Sequence, residues 1–106
     1  MVARGEIWLV RLDPTEGREL QKTRPCLIVS PPEIHDILDI VIVVPMTTAS
    51  HPAAYRIEAK LKGKTGRFLL EQIRTIDKSR LLRRVGEAEQ KTLALTLETL
   101  REMFAE

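Results

Sequence analysis

Between Glu6 and Val85 no stretch carries a helical period long enough to join two parallel strands. A parallel βαβ unit needs a crossover of a dozen or more residues, usually a helix. The chain instead offers short apolar runs cut by Pro, Gly and Asp. Glu6 to Leu12 reads as a strand stopped by Asp13-Pro14, and Asp13 to Gly17 has turn chemistry. Arg18 to Thr23 is polar without period and reads as an exposed loop. Pro25 to Ser30 is a second strand, ended by Pro31-Pro32. Ile34 to Asp39 has room for one helical turn, and the β-branched run Ile40 to Val44 reads as a central strand. Pro45 to Ser50 reads as a polar strand end entering a loop. Tyr55 to Ala59 alternates as a short strand, Lys62 to Gly66 is a basic hairpin-like turn, and Arg67 to Ile76 reads as one further strand. Asp77 can cap a short turn through Leu81, with a last strand over Leu82 to Val85.

The period then changes. Leu93, Leu97, Leu100 and Phe104 recur at i, i+4, i+7 and i+11, one stripe of an amphipathic helix. Glu87 and Glu89 stand at its start, where the helix dipole favours negative charge. Short strands followed by one helix predict a mainly β, α+β architecture. The expected form is a small, strongly curved antiparallel sheet or barrel with a packed C-terminal helix. A length of 106 residues predicts a single domain over 1–106. The lone Cys26 can make no internal disulfide, which predicts a reducing, cytoplasmic setting. No apolar run approaches the ~20 residues of a membrane-spanning helix, and Arg4 and Glu6 interrupt any leader-like start.

Charge is unevenly placed. Residues 60–84 carry nine basic and two acidic side chains, while residues 85–106 carry two basic and five acidic. A concentrated basic stretch suits a polyanion; it is equally the pattern of a solvated face laced with ion pairs. Aromatic residues make up only 4% of the chain, poor material for a base-stacking platform.

Few classes of chemistry fit the remaining residues. Cys26, His35 and His51 are too few and too scattered for a zinc site, and no carboxylate cluster suggests magnesium, so no metal or cofactor is expected. Lys62 to Gly66 lacks the strand–loop–helix setting of a phosphate-cradling loop. Cys26 sits in an apolar strand, where an inert buried thiol is usual. His35 and His51 could form an acid–base pair for RNA cleavage, but beside Pro and Asp both read first as exposed, idle loop residues. Arginine and hydroxyl groups are left. Arg24 precedes Pro25 and is pushed toward an extended strand start, and Thr47 and Thr48 follow a buried strand. An arginine can bind phosphate through two parallel hydrogen bonds, and a threonine hydroxyl can donate to a phosphoryl oxygen. That pairing suits metal-free RNA cleavage by the internal 2′-OH; a plain surface ion pair is the alternative reading of Arg24.

At these residues the sequence resembles the MazF/PemK/Kid toxins of bacterial toxin–antitoxin modules. The matching stretches are Arg4 to Glu19 (RGEIWLVRLDPTEGRE), Thr23 to Ser30 (TRPCLIVS), Val43 to Thr48 (VVPMTT) and Leu69 to Leu81 (LLEQIRTIDKSRL). Their order and spacing in a chain of this length make the resemblance specific, from about residue 4 to residue 82. The resemblance implies an SH3-like β-barrel with a C-terminal helix, acting as a homodimer. It implies a sequence-specific, metal-independent endoribonuclease that cuts single-stranded RNA, chiefly mRNA, to 2′,3′-cyclic phosphate and 5′-hydroxyl ends. A cognate antitoxin would lie across the dimer and block the RNA groove. By the same resemblance Arg24 and Thr47 are catalytic and Glu19 supports activity from a mobile loop, with Lys22, Thr48, Gln72 and Arg74 expected at the RNA. An arginine side chain stays protonated and makes a poor general base, so Arg24 is read as a transition-state stabiliser and the base is left unassigned. The segment Lys62 to Arg74 is shorter and more basic than in many relatives, so base-reading roles are not extended to it.

Several of these residues have two readings. Gln72 can face the RNA groove or complete a sheet hydrogen bond, and Arg74, two residues on, should share its face if both lie in one strand. Trp8 is read as core or dimer contact. Leu93, Leu97, Leu100 and Phe104 are read as core or dimer surface, and Gly5 and Gly17 as backbone-geometry positions. The rival functions are a gyrase-inhibiting toxin of the CcdB type on the same scaffold and an RNA-binding SH3-like module without activity. The CcdB-type toxins are not expected to keep both the Arg-Pro step and the Pro-Met-Thr-Thr segment. A binding module would bind RNA with strong salt dependence and leave it intact. A family member that has lost activity is argued against by the presence of Arg24, Thr47 and Glu19.

Overall fold

The computed structural model describes residues 1–13, 16–20 and 22–106. Seven strands and two helices follow in the order β1 (Glu6–Arg11), β2 (Thr23–Ile28), α1 (Pro32–His35), β3 (Ile40–Thr47), β4 (Arg56–Leu61), β5 (Lys64–Leu69), β6 (Arg74–Asp77), β7 (Leu81–Glu87) and α2 (Gln90–Met103). Every strand pairing is antiparallel, and the strands lie in the order β4-β5-β3-β2-β1-β7, with β6 on β3. The sheet curls far enough for its two end strands to meet. A Cβ added at Gly86 in β7 would lie 2.6 Å from Leu61 Cδ1 in β4. This is the curved, mainly β half-barrel with a C-terminal helix that the strand–helix order predicts.

The apolar runs of β2 and β3 are nearly continuous because both faces are buried. Leu27, Val44 and Met46 enter one cluster with Ile7, Ile57, Phe68, Leu70 and Leu100, and Leu93 and Leu97 of α2 pack against it. Cys26, Ile28, Val41 and Val43 point the other way, into a cluster with Val10, Leu12 and Ile76, flanked by Trp8 and Leu20. The two-residue alternation of a strand sorts neighbours between the two clusters. Trp8 is half-buried, and its indole N–H donates to Glu6 Oε1 at 3.0 Å.

Several boundaries differ from the sequence expectation. β3 does not end at Val44; it runs through Pro45 to Thr47. On one edge β3 pairs with β6 from Ile40 to Val43, and with β5 at Met46 and Thr47. Pro45, which has no N–H to donate, sits where the partner changes, and the ladder loses nothing there. The single strand expected over Arg67 to Ile76 is two strands. A 3₁₀ turn at Leu70–Gln72 carries the chain from β5 to β6 along that same edge. The β4–β5 hairpin turns on Lys62 and Gly63, at φ 51° and 81°. Two residues at positive φ are what a tight right-twisting hairpin requires. Gly5 and Gly17 also have positive φ, as their backbone role predicts. The turn expected at Asp13 to Gly17 includes Pro14 and Thr15, and the loop at Arg18 to Thr23 includes Gln21; these three lie outside the described residues.

Asp77 caps the 3₁₀ turn Lys78–Arg80, accepting from Ser79 N at 2.8 Å, and that backbone hydrogen bond holds its carboxyl below the ordinary value. His35 is not the exposed loop residue expected. It is buried in α1 with Nδ1 2.9 Å from Ser30 Oγ, which itself accepts from Ile42 N at 3.2 Å. His51 is exposed. In α2, Leu100 is buried and Leu93 and Leu97 are half-buried, but Phe104 lies beyond the last turn and is 70% exposed. No helix is long and apolar enough to cross a membrane among the described residues.

Candidate active site

β2 and β3 bring the two principal candidates together through register. Cys26 pairs with Pro45, Leu27 with Val44 and Ile28 with Val43. The paired register stops at Cys26–Pro45, and Arg24 and Thr47 each lie two residues beyond it, at the same end of β2 and β3. Arg24 is half-buried and Thr47 is 7% exposed. Both line a cavity of about 180 Å³ with Pro25, Met46, Thr48, Leu61 and Lys64. Among the described residues, two cations and two hydroxyls line it and no carboxylate does.

Thr47 is held from three sides. It pairs with Arg67 of β5, its Oγ1 accepts from Ala49 N at 3.2 Å, and its carbonyl oxygen abuts Gly66. A hydroxyl that accepts one hydrogen bond keeps its own proton to donate. A Cβ added at Gly66 would lie 2.9 Å from Thr47 O and 3.1 Å from the Met46 methyl carbon. Glycine in this strand therefore permits β5 to approach the strand that carries Thr47. Arg67 itself turns away, donating from Nη1 to Ser50 O at 2.9 Å.

The other candidates gather at a second cavity, of about 150 Å³, lined by Leu12, Glu19, Leu20, Pro45, Glu71, Gln72, Ile73 and Arg74. Pro45 and Thr47 lie two residues apart on β3, so the cavities are separated by roughly 7 Å of strand. Gln72 does not lie in a strand and completes no sheet hydrogen bond; from the 3₁₀ turn its Oε1 accepts from Leu20 N at 2.9 Å. Arg74 shares its cavity although the two are not in one strand, and its Nη1 reaches Leu12 O at 3.5 Å. Glu19 is exposed, with Oε1 accepting from Glu16 N at 3.2 Å. It lines the second cavity and not the one that holds Arg24 and Thr47. Lys22 is exposed at φ 64°, its N–H donating to Asp13 Oδ1 at 2.8 Å, and it lines neither cavity.

Cys26 has its Sγ 3.6 Å from Arg24 O, yet is no nucleophile. Burial pushes its thiol from 9.0 up to about 12, against a smaller opposing pull from the Arg74 charge. Sequence reasoning did not single out Leu61, Lys64 or Glu71 as cavity residues. The first two arrive through a hairpin whose return path depends on sheet curl, which no local pattern encodes. Glu71 was hidden inside the strand expected over Arg67 to Ile76.

Comparisons with known proteins agree on one family. The PemK-like, MazF-like toxins of type II toxin–antitoxin systems match residues 3–104. Endoribonuclease PemK of Escherichia coli is 43% identical over 79 residues, spanning 70% of this chain and 59% of that protein. Endoribonuclease MazF9 of Mycobacterium tuberculosis is 33% identical over 112 residues, spanning 95% of this chain and 94% of that protein. The crystal structure of MazF from Deinococcus radiodurans superposes with a TM-score of 0.85 at 22% identity, covering 96% and 94% of the two chains, a likeness of fold. With a match across nearly its whole length, the chain belongs to the PemK-like, MazF-like family of type II toxins.

Proposed function

We propose that this chain acts as a single MazF/PemK-like toxin domain, a sequence-specific endoribonuclease that cuts single-stranded RNA, chiefly mRNA, and thereby stops translation and growth. The observation that carries this reading is the Arg24–Thr47 pair on one cavity wall, set by the Cys26–Pro45 register. Family membership and two relatives named endoribonucleases support it. A type II toxin implies a cognate antitoxin protein as partner, and the reading includes a homodimer acting in the cytoplasm.

The chemistry asks little of the protein beyond position and charge. The 2′-OH of one nucleotide attacks the adjacent phosphorus and loses its proton to a base, and the bond to the 5′-oxygen of the next nucleotide breaks as that oxygen takes up a proton. The products are a 2′,3′-cyclic phosphate and a 5′-hydroxyl. Charge grows on the non-bridging oxygens in the transition state, and a fixed guanidinium stabilises it there. Thr47 donates a hydrogen bond from its hydroxyl to a phosphoryl oxygen and fixes the phosphate against β3. This division of labour needs no metal. Glu19 supports the reaction from the second cavity, where Arg74 contacts the flanking RNA, with Thr48 at the rim of the first. Gln72 acts by holding the Glu16–Leu20 segment, and Lys22 by charge from outside both cavities.

The test is cleavage of a mixed-sequence single-stranded RNA in EDTA by the wild-type chain and Arg24→Ala. Discrete cuts with cyclic-phosphate ends that disappear in the variant are expected. RNA that is bound but left intact would refute the nuclease reading in favour of a binding module.

A further inference from the structure

Four of the nine cations from Lys60 to Arg84 are engaged by the protein itself once the chain is folded. Arg67 is bound to Ser50 O, with Glu58 Oε2 3.9 Å away. Arg74 points to Leu12 O in the second cavity. Arg80 donates from Nη1 to the carbonyls of Arg11 and Asp13, at 3.2 and 2.6 Å. Arg84 pairs with Glu6 at 3.1 Å and with Glu87 at 3.7 Å. Of the nine, Lys64 is the one lining the cavity that holds Arg24 and Thr47.

Its position there is built. The Lys62-Gly63 turn, with both φ values positive, makes Lys64 the first residue of β5 and sets it opposite Leu61. Leu61 is in turn packed toward Gly86 of β7, so the hairpin is pinned against the far edge of the curled sheet. Lys64 is exposed, and no carboxylate lies within ion-pair distance of it among the described residues. The cavity wall across from β2 thus presents an uncompensated ammonium toward an arginine and two hydroxyls.

We infer that Lys64 is a substrate-binding residue for the reaction proposed above, holding a phosphate next to the scissile one while Arg24 and Thr47 take the scissile phosphate itself. An ammonium acts as a point charge without the fixed fork of a guanidinium, which suits a neighbouring phosphate whose geometry does not change during reaction. Such a contact is equal in ground and transition states, so its loss raises KM and leaves kcat unchanged. This rests on the Arg24–Thr47 cavity being the cleavage site.

The experiment measures kcat and KM for wild type, Lys64→Gln, Lys64→Arg and Lys91→Gln on a short RNA carrying one cleavage site mapped with the wild type, at several salt concentrations. Lys91 lies on α2, lines neither cavity and serves as the charge control. Lys64→Gln should raise KM roughly 3–10-fold at low salt with kcat within about twofold, and should lower the slope of log KM against log salt by about 0.7, the value for one phosphate contact on a single strand. Lys64→Arg should restore KM. An unchanged KM and slope in Lys64→Gln, or an equal change in Lys91→Gln, overturns the assignment. So does a fall in kcat at unchanged KM. If the wild type does not cut RNA, the nuclease reading fails on its own. The same variants are then titrated with a fluorescein-labelled mixed-sequence RNA, where loss of the slope difference, or of binding altogether, overturns Lys64 as well.

Discussion

Arg24 on β2 and Thr47 on β3 each lie two residues beyond the Cys26–Pro45 pair, and both line one cavity. If that pair performs the cleavage, Arg24→Ala should lower the cleavage rate on the order of 10²–10³-fold, the usual cost of deleting one charge-stabilising donor. Thr47→Val, which keeps the shape and removes the donor, should cost about tenfold or more. Arg24→Lys should recover little, because an ammonium lacks the two-pronged geometry. Single-turnover rates on a mapped RNA check all three, with circular dichroism confirming an unchanged fold.

Gly66 should tolerate no side chain. A methyl group there would press on Thr47 O at 2.9 Å, a backbone atom that can move only with β3. Gly66→Ala should cost about 1–3 kcal/mol, the usual range for overpacking. It should also slow cleavage by displacing Thr47. A urea midpoint at the wild-type value would show that β5 can withdraw without cost.

The hydrogen bond from Leu20 N to Gln72 Oε1 joins residues 52 apart in sequence. Gln72→Ala should cost about 1 kcal/mol, as for one hydrogen bond lost at a half-buried donor. Amide exchange at Leu20 should accelerate, while the β2 and β3 amides stay protected. Since Glu19 precedes Leu20 in the second cavity, Gln72→Ala and Glu19→Gln should reduce cleavage in the same direction.

Cys26 should resist alkylation in the native protein at pH 8 and react rapidly once denatured, because the thiolate is the reactive form and its burial raises the thiol to about 12. The sign of the linked stability follows. Below the ordinary value of 9.0 both folded and unfolded thiols are protonated, and the contribution is fully present. Between 9.0 and about 12 the unfolded thiol ionises first, so stability falls as pH rises. Urea midpoints at pH 8 and pH 10.5 should therefore separate more in the wild type than in Cys26→Ala.

Particular residues show what the sequence made legible. The β-branched run Ile40 to Val44 and the Leu93–Leu97–Leu100 stripe declare their elements locally, and the structure holds both. Arg24 and Thr47 were singled out because Pro25 and the strand end place them at a rim. Their meeting was not readable, since it depends on strand register. The 3₁₀ turn at Leu70–Gln72 sits within an apolar run that a strand would equally produce, and only the change of partner along β3 reveals it. His35 looked exposed because Asp36 and two prolines surround it, but its ring is covered and bonded to Ser30. Within the basic stretch, proximity in sequence does not decide where a charge ends up: Arg67, Arg74, Arg80 and Arg84 are drawn to Ser50 O, Leu12 O, the Arg11 and Asp13 carbonyls, and Glu6 with Glu87.

The cavity has two walls of different kinds. One is made by β2 and β3, inner strands whose apolar residues serve both core clusters and leave little room for substitution. The other is the turn end of an outer hairpin, reached through Leu61 and Lys64. At its tip that second wall carries exposed side chains, Lys62 and Lys64 among them, which the core does not constrain. If the chain cuts RNA as proposed, exchanges at the hairpin tip would change what is held beside the Arg24–Thr47 wall while leaving that wall to the core that fixes it.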